Sequence, residues 1–411
     1  MRVPSPNWPP WLLFAVCVAL LPWAKVVFLQ GWISAAEVVF GPWTHDRRGS
    51  NTVARRKLIV DADMDVDDMW AIALALSEPS FDVVGITVSP GWAHQWSGVP
   101  NAQRLVEAFA RNPGAVPVAY GAPSQTQLVE SVPTNLPPDQ FLDPIDNYLT
   151  KSAPLPASGR PPSPFMAHQL IIQRMKELPA GETLDLVVTG SFTNLAMAMS
   201  TDPDTFLNKV GTVFFAGAPL LDIERVYERP PEEFRTDNWQ SNSFPHTGWV
   251  PKGSCWNIFL DPISASQILS SGVKLVAMTQ DAQDSLRISS EDTDNIPLPC
   301  QGTERADFAG NFTLRFGPDT GQTYADLRYW DPSALLVANE VIFGVPDGQN
   351  PICTNWKDMN LRVELDQADG KYSWMVDSPE HGSPVRACVV ADSKAFLPVY
   401  WKTMACGVMR N

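Results

Sequence analysis

Residues 57–74 read KLIVDADMDVDDMWAIAL, and no other stretch constrains the chain as tightly. The apolar run Leu58, Ile59, Val60 stops at five aspartates, Asp61, Asp63, Asp65, Asp67 and Asp68, and an apolar, Ala-rich run follows over 69–76. The pattern is a buried strand, a tight acidic loop and then a helix. A helix cap at Asp67 or Asp68 and a solvated turn would explain two acids. Five in one short loop repel one another unless a cation or a polyhydroxyl ligand fills the space between them. Short carboxylates on a loop suit a hard cation such as Ca2+, which takes about 6–8 oxygen ligands. Alternation along an extended backbone puts Asp61, Asp63 and Asp65 on one side, and Asp68 returns from the first helical turn. In open α/β sheets ligands bind outside the carboxyl ends of the strands, which is where this loop falls.

The segments that follow set the fold class. Phe81–Val88 (FDVVGITV) reads as a second buried strand, 101–111 as a helix and 116–120 as a third, short strand. This βαβαβ order with short connections predicts a parallel sheet with right-handed crossovers. Further helices are expected over 166–178, 262–269 and 335–339, and further strands over 184–188, 211–217 and 273–279. Asp261-Pro262 opens one of those helices, with proline at its first position. Closing strands fall within 361–390, and a terminal helix follows Asp392. The proline-rich stretch 125–163 reads as a long loop, of the kind that serves as a lid excluding stray water.

Ahead of the acidic loop, residues 1–36 read as a targeting segment, with an apolar run over 11–23, Lys25, a second apolar run over 26–33 and the small residues Ser34-Ala35-Ala36. A cleaved signal peptide is the favoured reading, because Pro22 and Lys25 interrupt a membrane anchor through 11–33. Residues 37–56 form a mostly polar linker, and 57–411 the folded domain. The net charge of −15 is spread along the chain, a surface that repels phosphate backbones and argues against nucleic acid as a partner. Of six cysteines, Cys17 leaves with a cleaved signal. None has CxxC spacing, which argues against a zinc site. One or two disulfides are expected among Cys300, Cys353, Cys388 and Cys406, with the pairing open. Asn311-Phe312-Thr313 is a glycosylation sequon. His45, His94, His168 and His381 stand isolated; no His-Glu-x-x-His, Gly-x-Ser-x-Gly, Gly-x-Gly-x-x-Gly or P-loop occurs.

At the acidic loop the chain resembles the inosine–uridine-type nucleoside hydrolases, whose signature there is Asp-Thr-Asp-Pro-Gly-x-Asp-Asp-Ala. Asp61, Asp63, Asp67 and Asp68 match all four family aspartates, while Met64-Asp65 replaces Pro-Gly. Thr189-Gly190-Ser191-Phe192-Thr193-Asn194-Leu195-Ala196 resembles the family's Thr-Gly-Pro-Leu-Thr-Asn-Leu-Ala turn, and Gly211–217 its Val-x-Met-Gly-Gly segment. Cys255-Trp256-Asn257 through Asp261-Pro262 is similar to Glu-x-Asn-x-x-x-Asp-Pro, and Asp331-Pro332 matches a late Asp-Pro. Three further site positions depart from the family. Trp92 stands where an asparagine touches ribose, Cys255 where a glutamate reaches the 5′-hydroxyl, and Trp330 where the best-known members carry a histidine acid.

The resemblance implies an open α/β sheet, mainly parallel, with helices on both faces, and calcium-dependent hydrolysis of a ribosyl C–N bond in a small-molecule nucleoside. It assigns Ca2+ to Asp63, Asp68, the Thr189 carbonyl and Asp331, with Asp63 also the general base. Asp67 and Asn257 would grip ribose hydroxyls, and Asp61 would buttress the loop. Trp92 stands open between stacking on the base or ring and packing its loop, and Trp330 is a candidate to stack on the leaving group. Thr193 and Asn194 read as helix caps. Tyr227, Trp239, His246 and Trp249 are candidates for the pocket wall. Two alternatives stand beside it: a secreted calcium-binding homologue without turnover that acts as an interaction protein, and a hydrolase of another N-ribosyl compound such as a ribosyl-pyridinium. A secretory destination is expected, and homo-oligomer formation is left open.

Overall fold

A computed structural model describes residues 55–123, 139–218, 255–315, 327–365 and 373–406. The targeting segment, almost all of the linker, and the wall candidates Tyr227, Trp239, His246 and Trp249 lie outside the described residues.

Nine strands make one sheet: β1 (Arg56–Ala62), β2 (Phe81–Val88), β3 (Val118–Tyr120), β4 (Leu184–Val188), β5 (Val210–Ala216), β6 (Lys274–Met278), β7 (Cys353–Leu365), β8 (Ser373–Asp377) and β9 (Ser383–Ala391). Their order is β3-β2-β1-β4-β5-β6-β9-β7-β8. Every pair from β3 to β9 is parallel, and β7 runs antiparallel to both β9 and β8.

The sheet is covered on both faces, and its strands show why. Leu58, Val60 and Ala62 of β1 belong to one core cluster and Ile59 to the other. The same period-two split recurs at Phe214 and Ala216 against Val213 and Phe215. A strand apolar on both sides has to be sandwiched, which is the signature of a parallel sheet. One face carries α1 (Val66–Ser77), α2 (Gln95–Phe109), α7 (Glu304–Leu314), α8 (Trp330–Phe343) and α9 (Ser393–Ala405). The other carries α4 (Ala167–Lys176), α5 (Thr193–Thr201) and α6 (Pro262–Leu269).

The strand order fixes where a ligand can sit. From β1 the chain steps outward through β2 and β3, then returns to pair β4 on the other flank of β1. The crossovers therefore leave β1 and β4 in opposite directions, opening a crevice at their carboxyl ends. Asp61 to Asp68 leave β1 at that edge, and Thr189 directly follows β4.

Several expectations need correction. The 125–163 stretch is not all loop: α3 (Asp139–Asp146) and a π-helical turn at Tyr148–Ser152 lie in it. Leu142, Ile145, Tyr148 and Leu149 are buried at helical spacing, a signal masked by the flanking prolines. Helix α2 starts six residues before the expected 101, despite Gly98 and Pro100. Gly98 is there for packing, since a Cβ on it would stand 3.1 Å from Met64 Cγ.

The cysteines resolve into Cys300–Cys406 and Cys353–Cys388, with Cys255 free and buried. The first ties the turn after β6 to the end of α9 across 106 residues of sequence; the second joins neighbouring strands β7 and β9. Closing so long a loop restricts the unfolded chain. Replacing Cys300 and Cys406 together by serine should lower unfolding free energy by about 2–5 kcal/mol, read from the denaturant midpoint under non-reducing conditions.

Candidate metal and substrate site

The loop after β1 turns sharply enough to aim its acids inward. Met64 adopts φ +66°, the left-handed region that L-residues rarely enter. Asp65 then caps α1: its carboxylate accepts from the Val66 N–H (2.6 Å), and its own N–H donates to Asp68 Oδ2 (2.9 Å). The cap is thus Asp65, and Asp67 and Asp68 sit inside the first turn.

Around this turn the carboxylates converge. Single oxygens of Asp67, Asp68 and Asp331 all lie within 4.8 Å of one another. Asp63 stands against Asp68, and Asp67 against Asp331, each pair close enough to share a proton. Asp63 is 1% exposed and Asp331 5%. Asp331 arrives on the second residue of α8, where Tyr329 occupies the cap position. The Thr189 hydroxyl donates to Asp68 Oδ1 (2.5 Å) and to the Asp61 carbonyl (3.2 Å).

Electrostatics state what the cluster lacks. Burial, reinforced by neighbouring carboxylates, raises Asp63 and Asp67 to about 7 and pushes Asp65, Asp68 and Asp331 well above the usual carboxylate range. Among the described residues no Lys, Arg or His pairs with any of the five. Buried carboxylates are stable when paired or bound to metal. An all-oxygen, multiply charged donor set fits a hard divalent cation such as Ca2+. The Thr189 hydroxyl bonds this set, while the Thr189 carbonyl accepts from Asn257 Nδ2.

Asp61 lies behind the cluster and faces away from it. Its Oδ2 accepts from the Thr87 hydroxyl (2.5 Å) and Asn194 Nδ2 (2.8 Å), and its carbonyl accepts from the Thr189 N–H (2.8 Å). It splints β1 to β2 and β4. Asn194 therefore reaches Asp61, and Thr193 donates to Asp261 Oδ2 (2.6 Å), so the helix-cap reading of both is corrected. Asp261 caps α6 through the Ser264 N–H (3.1 Å).

The other candidates gather nearby. Asn257 Nδ2 donates to the Thr189 carbonyl (2.6 Å) and the Ala216 carbonyl (3.3 Å), leaving Oδ1 as the atom that can meet a ligand. The Trp92 N–H donates to Asp63 Oδ2 (3.3 Å), and its ring packs on Trp256 at 4.6 Å between centroids. Trp330 is half-buried at the start of α8, its carbonyl held by Gln283 Nε2 (2.8 Å). Cys255 is buried, its thiol pushed up to about 11, and is therefore a neutral, apolar wall residue. Sequence reasoning aligned Gly91-Trp92 with the family's Gly-Asn pair but gave Gly91 no role, and a Cβ on it would fall 2.0 Å from Asp63 Oδ2. It also missed the pairing of His94 with Asp146, because the two lie 52 residues apart.

Residues 58–398 match the family model described as inosine-uridine preferring nucleoside hydrolase. The chain belongs to this family. Among relatives, the probable uridine nucleosidase 2 of Arabidopsis thaliana is 28% identical over 59% of this chain and 64% of its own length. The pyrimidine-specific ribonucleoside hydrolase RihA of Citrobacter koseri is 27% identical over 58% of this chain and 64% of its own. The chain thus spans about 64% of the length of the curated relatives it matches. A solved plant nucleoside hydrolase superposes with TM-score 0.63 at 20% identity, covering 86% of this chain and 99% of that one. An inosine–uridine preferring nucleoside hydrolase from Bacillus anthracis gives 0.62 at 15% identity, covering 85% and 99%. These likenesses show the nucleoside hydrolase fold.

Two outcomes follow from the geometry. Gly91→Ala drives a methyl into the Asp63 carboxylate, so divalent-cation affinity measured by calorimetry should fall at least about tenfold, whereas Gly159→Ala, which meets nothing within 4 Å, leaves it unchanged. The second concerns pH. In metal-free protein Asp63 and Asp67 titrate near 7 when folded, against roughly 3.9 unfolded. Their contribution is full below the unfolded value and is lost as pH rises through about 7. With chelator the protein should melt at a lower temperature at pH 8 than at pH 5.5; saturating Ca2+ should raise the melting temperature more at pH 8.

Proposed function

We propose that this protein hydrolyses the N-glycosidic bond of ribonucleosides, giving ribose and the free base, with Ca2+ held by Asp63, Asp68, the Thr189 carbonyl and Asp331. The observation that carries this reading is the convergence, at the β1/β4 switch point, of buried acids from residues 63–68 and 331 with no basic partner among the described residues. Support for the substrate class comes from family membership and from relatives whose names specify uridine and pyrimidine ribonucleosides.

When bound, the ion supplies positive charge that acidifies a neighbouring water and favours a vicinal diol. The rest is done by side chains. Asp63, fixed by the Trp92 N–H and hemmed in by Gly91, takes the proton of the attacking water as general base. Asp67 borders both the cation position and the crevice, and with Asn257 Oδ1 it grips ribose hydroxyls, holding the sugar as C1′ gains oxocarbenium character. Cys255 offers no charge to the sugar, and the Trp92–Trp256 pair closes that side with aromatic surface that keeps water out.

The chain is also proposed to be secreted through its amino-terminal segment, with membrane anchoring through 11–33 as the other outcome of that segment. Two disulfides among the described residues suit an oxidising compartment, and the sequon asparagine Asn311 is exposed on α7 although Thr313 is buried. Among the described residues no helix is long and apolar enough to cross a membrane.

Purified protein assayed with inosine, uridine and nicotinamide riboside, with and without chelator, tests the reading. Turnover of inosine or uridine that stops on chelation supports it; turnover of nicotinamide riboside alone moves the substrate to ribosyl-pyridinium compounds; tight calcium binding without any turnover makes the protein a binding homologue. Asp63→Asn should lower kcat by about 10²–10⁴-fold, the range for loss of a general base. Its metal-free melting temperature should hold or rise, because one member of a mutually repelling set becomes neutral.

A further inference from the structure

Asn311-Phe312-Thr313 is the one Asn-x-Ser/Thr sequence in the chain, and the chemistry of the crevice makes no use of it. It lies near the end of α7, a helix with two unlike faces. Arg305, Ala309, Phe312 and Thr313 are buried. The Phe312 carbonyl accepts from Trp70 Nε1 (2.9 Å) and the Tyr148 hydroxyl (2.5 Å), and the Thr313 and Tyr400 hydroxyls bond at 2.8 Å. Asp307, Gly310, Asn311 and Leu314 recur at helical spacing on the other face and border an open groove of about 800 Å³.

This placement suits a bulky attachment. Asn311 is exposed, and among the described residues nothing hydrogen-bonds its carboxamide. The groove beside it falls within the roughly 300–1,000 Å³ of sites that take small-molecule ligands. Its opposite side carries Thr293 and Ile296. Gly310 keeps the two sides apart, since a Cβ there would stand 3.6 Å from Thr293 Cγ2. The backbone around Asn311 is anchored by Phe312 and Thr313, so a group joined to Nδ2 points into solvent and the groove and displaces no core side chain.

The competing account is that the sequon is a chance match whose threonine serves the core. Thr313 is fully buried in the folded protein, so an enzyme that must read the open tripeptide could not reach it there. The order of synthesis answers this. Domains assemble from the amino end as the chain is made. Tyr400 lies 87 residues beyond Thr313, and Cys406 lies 106 beyond Cys300. Both belong to α9 or its cap, the helix on which α7 packs. Until α9 emerges, the 11 residues of α7 lack that support, and so short a helix is marginal alone. The tripeptide is therefore open while it passes through the compartment and closed only afterwards.

Resting on the secretory reading of the amino-terminal segment, we propose that Asn311 carries an N-linked oligosaccharide that in the folded protein extends over the groove beside α7. The donor is a lipid-linked oligosaccharyl diphosphate. Asn311 Nδ2 forms a bond to the anomeric carbon of the first sugar and gives up one proton. The bond from that carbon to the diphosphate oxygen breaks, and its electron pair leaves with the lipid diphosphate.

The test expresses the full chain in a eukaryotic secretory host and treats the product with peptide N-glycosidase. Wild-type protein should lose mass in a single step, and the peptide spanning residue 311 should be recovered with aspartate at that position. Asn311→Gln should migrate with the stripped wild type before and after treatment. Secreted wild-type protein whose residue 311 is unmodified asparagine would overturn the proposal. A second chain, with a heterologous cleavable signal in place of residues 1–36, separates the site from the targeting. A glycan on this chain but not on the native one would uphold the site and overturn the secretory reading. Its secretion without a glycan would overturn the site.

Discussion

Repulsion among buried carboxylates is the constraint on which the crevice depends. Asp63, Asp67, Asp68 and Asp331 are brought together by β1, α1 and α8, elements spread over most of the folded chain, and nothing basic offsets them among the described residues. A fold does not hold such a set closed without help, since each ionised carboxylate buried without a partner carries a desolvation penalty of several kcal/mol. Half-protonated pairs are the solution open to the chain alone, and a divalent cation is the other. The fold is therefore coupled to occupancy of the crevice. The helix dipoles of α1 and α8 act in the same direction, because Asp67, Asp68 and Asp331 all lie in first turns, where a negative charge is favoured.

The departures from the family signature keep this arrangement while changing how it is held. A Pro-Gly pair would place glycine freedom at position 65, but the left-handed residue here is Met64, at a cost of about 1–3 kcal/mol for a non-glycine. Two features offset that cost. Met64 is fully buried, its side chain against Gly98, and Asp65 is freed to cap α1 and bridge to Asp68. The fifth acid is thus a cap that stiffens the loop, and the charge crowding read from the sequence is partly the crowding of a capping box.

What the sequence made legible follows from the range of the interactions. The strand–loop–helix unit at Asp61 and the parallel sheet were readable, because each rests on local periodicity and on short connections. Boundaries failed where one residue type carried two messages. The helix expected from 101 begins at Gln95 and runs through Gly98 and Pro100, since packing of Gly98 against Met64 outweighs propensity. Thr193 and Asn194 looked like caps because capping is the commonest local use of their side chains. Their partners, Asp261 and Asp61, lie 68 and 133 residues away, and no local pattern reveals them. The disulfides show the same limit: the four cysteines were identifiable, but their pairing required knowing that β7 lies beside β9.

Cys353–Cys388 lies towards the other end of the sheet from β1, whereas Cys300–Cys406 lies beside α1, where Arg305 bonds both Ser77 Oγ and the Met404 carbonyl. Cys353–Cys388 joins the β7/β9 ladder, and Cys300–Cys406 fastens the end of α9, whose Phe396, Tyr400 and Trp401 are fully buried. Tyr329 packs at a tilt against Phe396 and Tyr400 at 5.1 and 4.8 Å between ring centroids, two residues before Asp331. The aromatic block anchored by the Cys300–Cys406 bridge is thus the platform from which α8 presents its carboxylate. Asp331 comes from far along the chain to meet acids at the beginning, so its position is only as well defined as that platform. Rigidity placed there allows the β1 loop to carry a left-handed methionine and crowded like charges without opening.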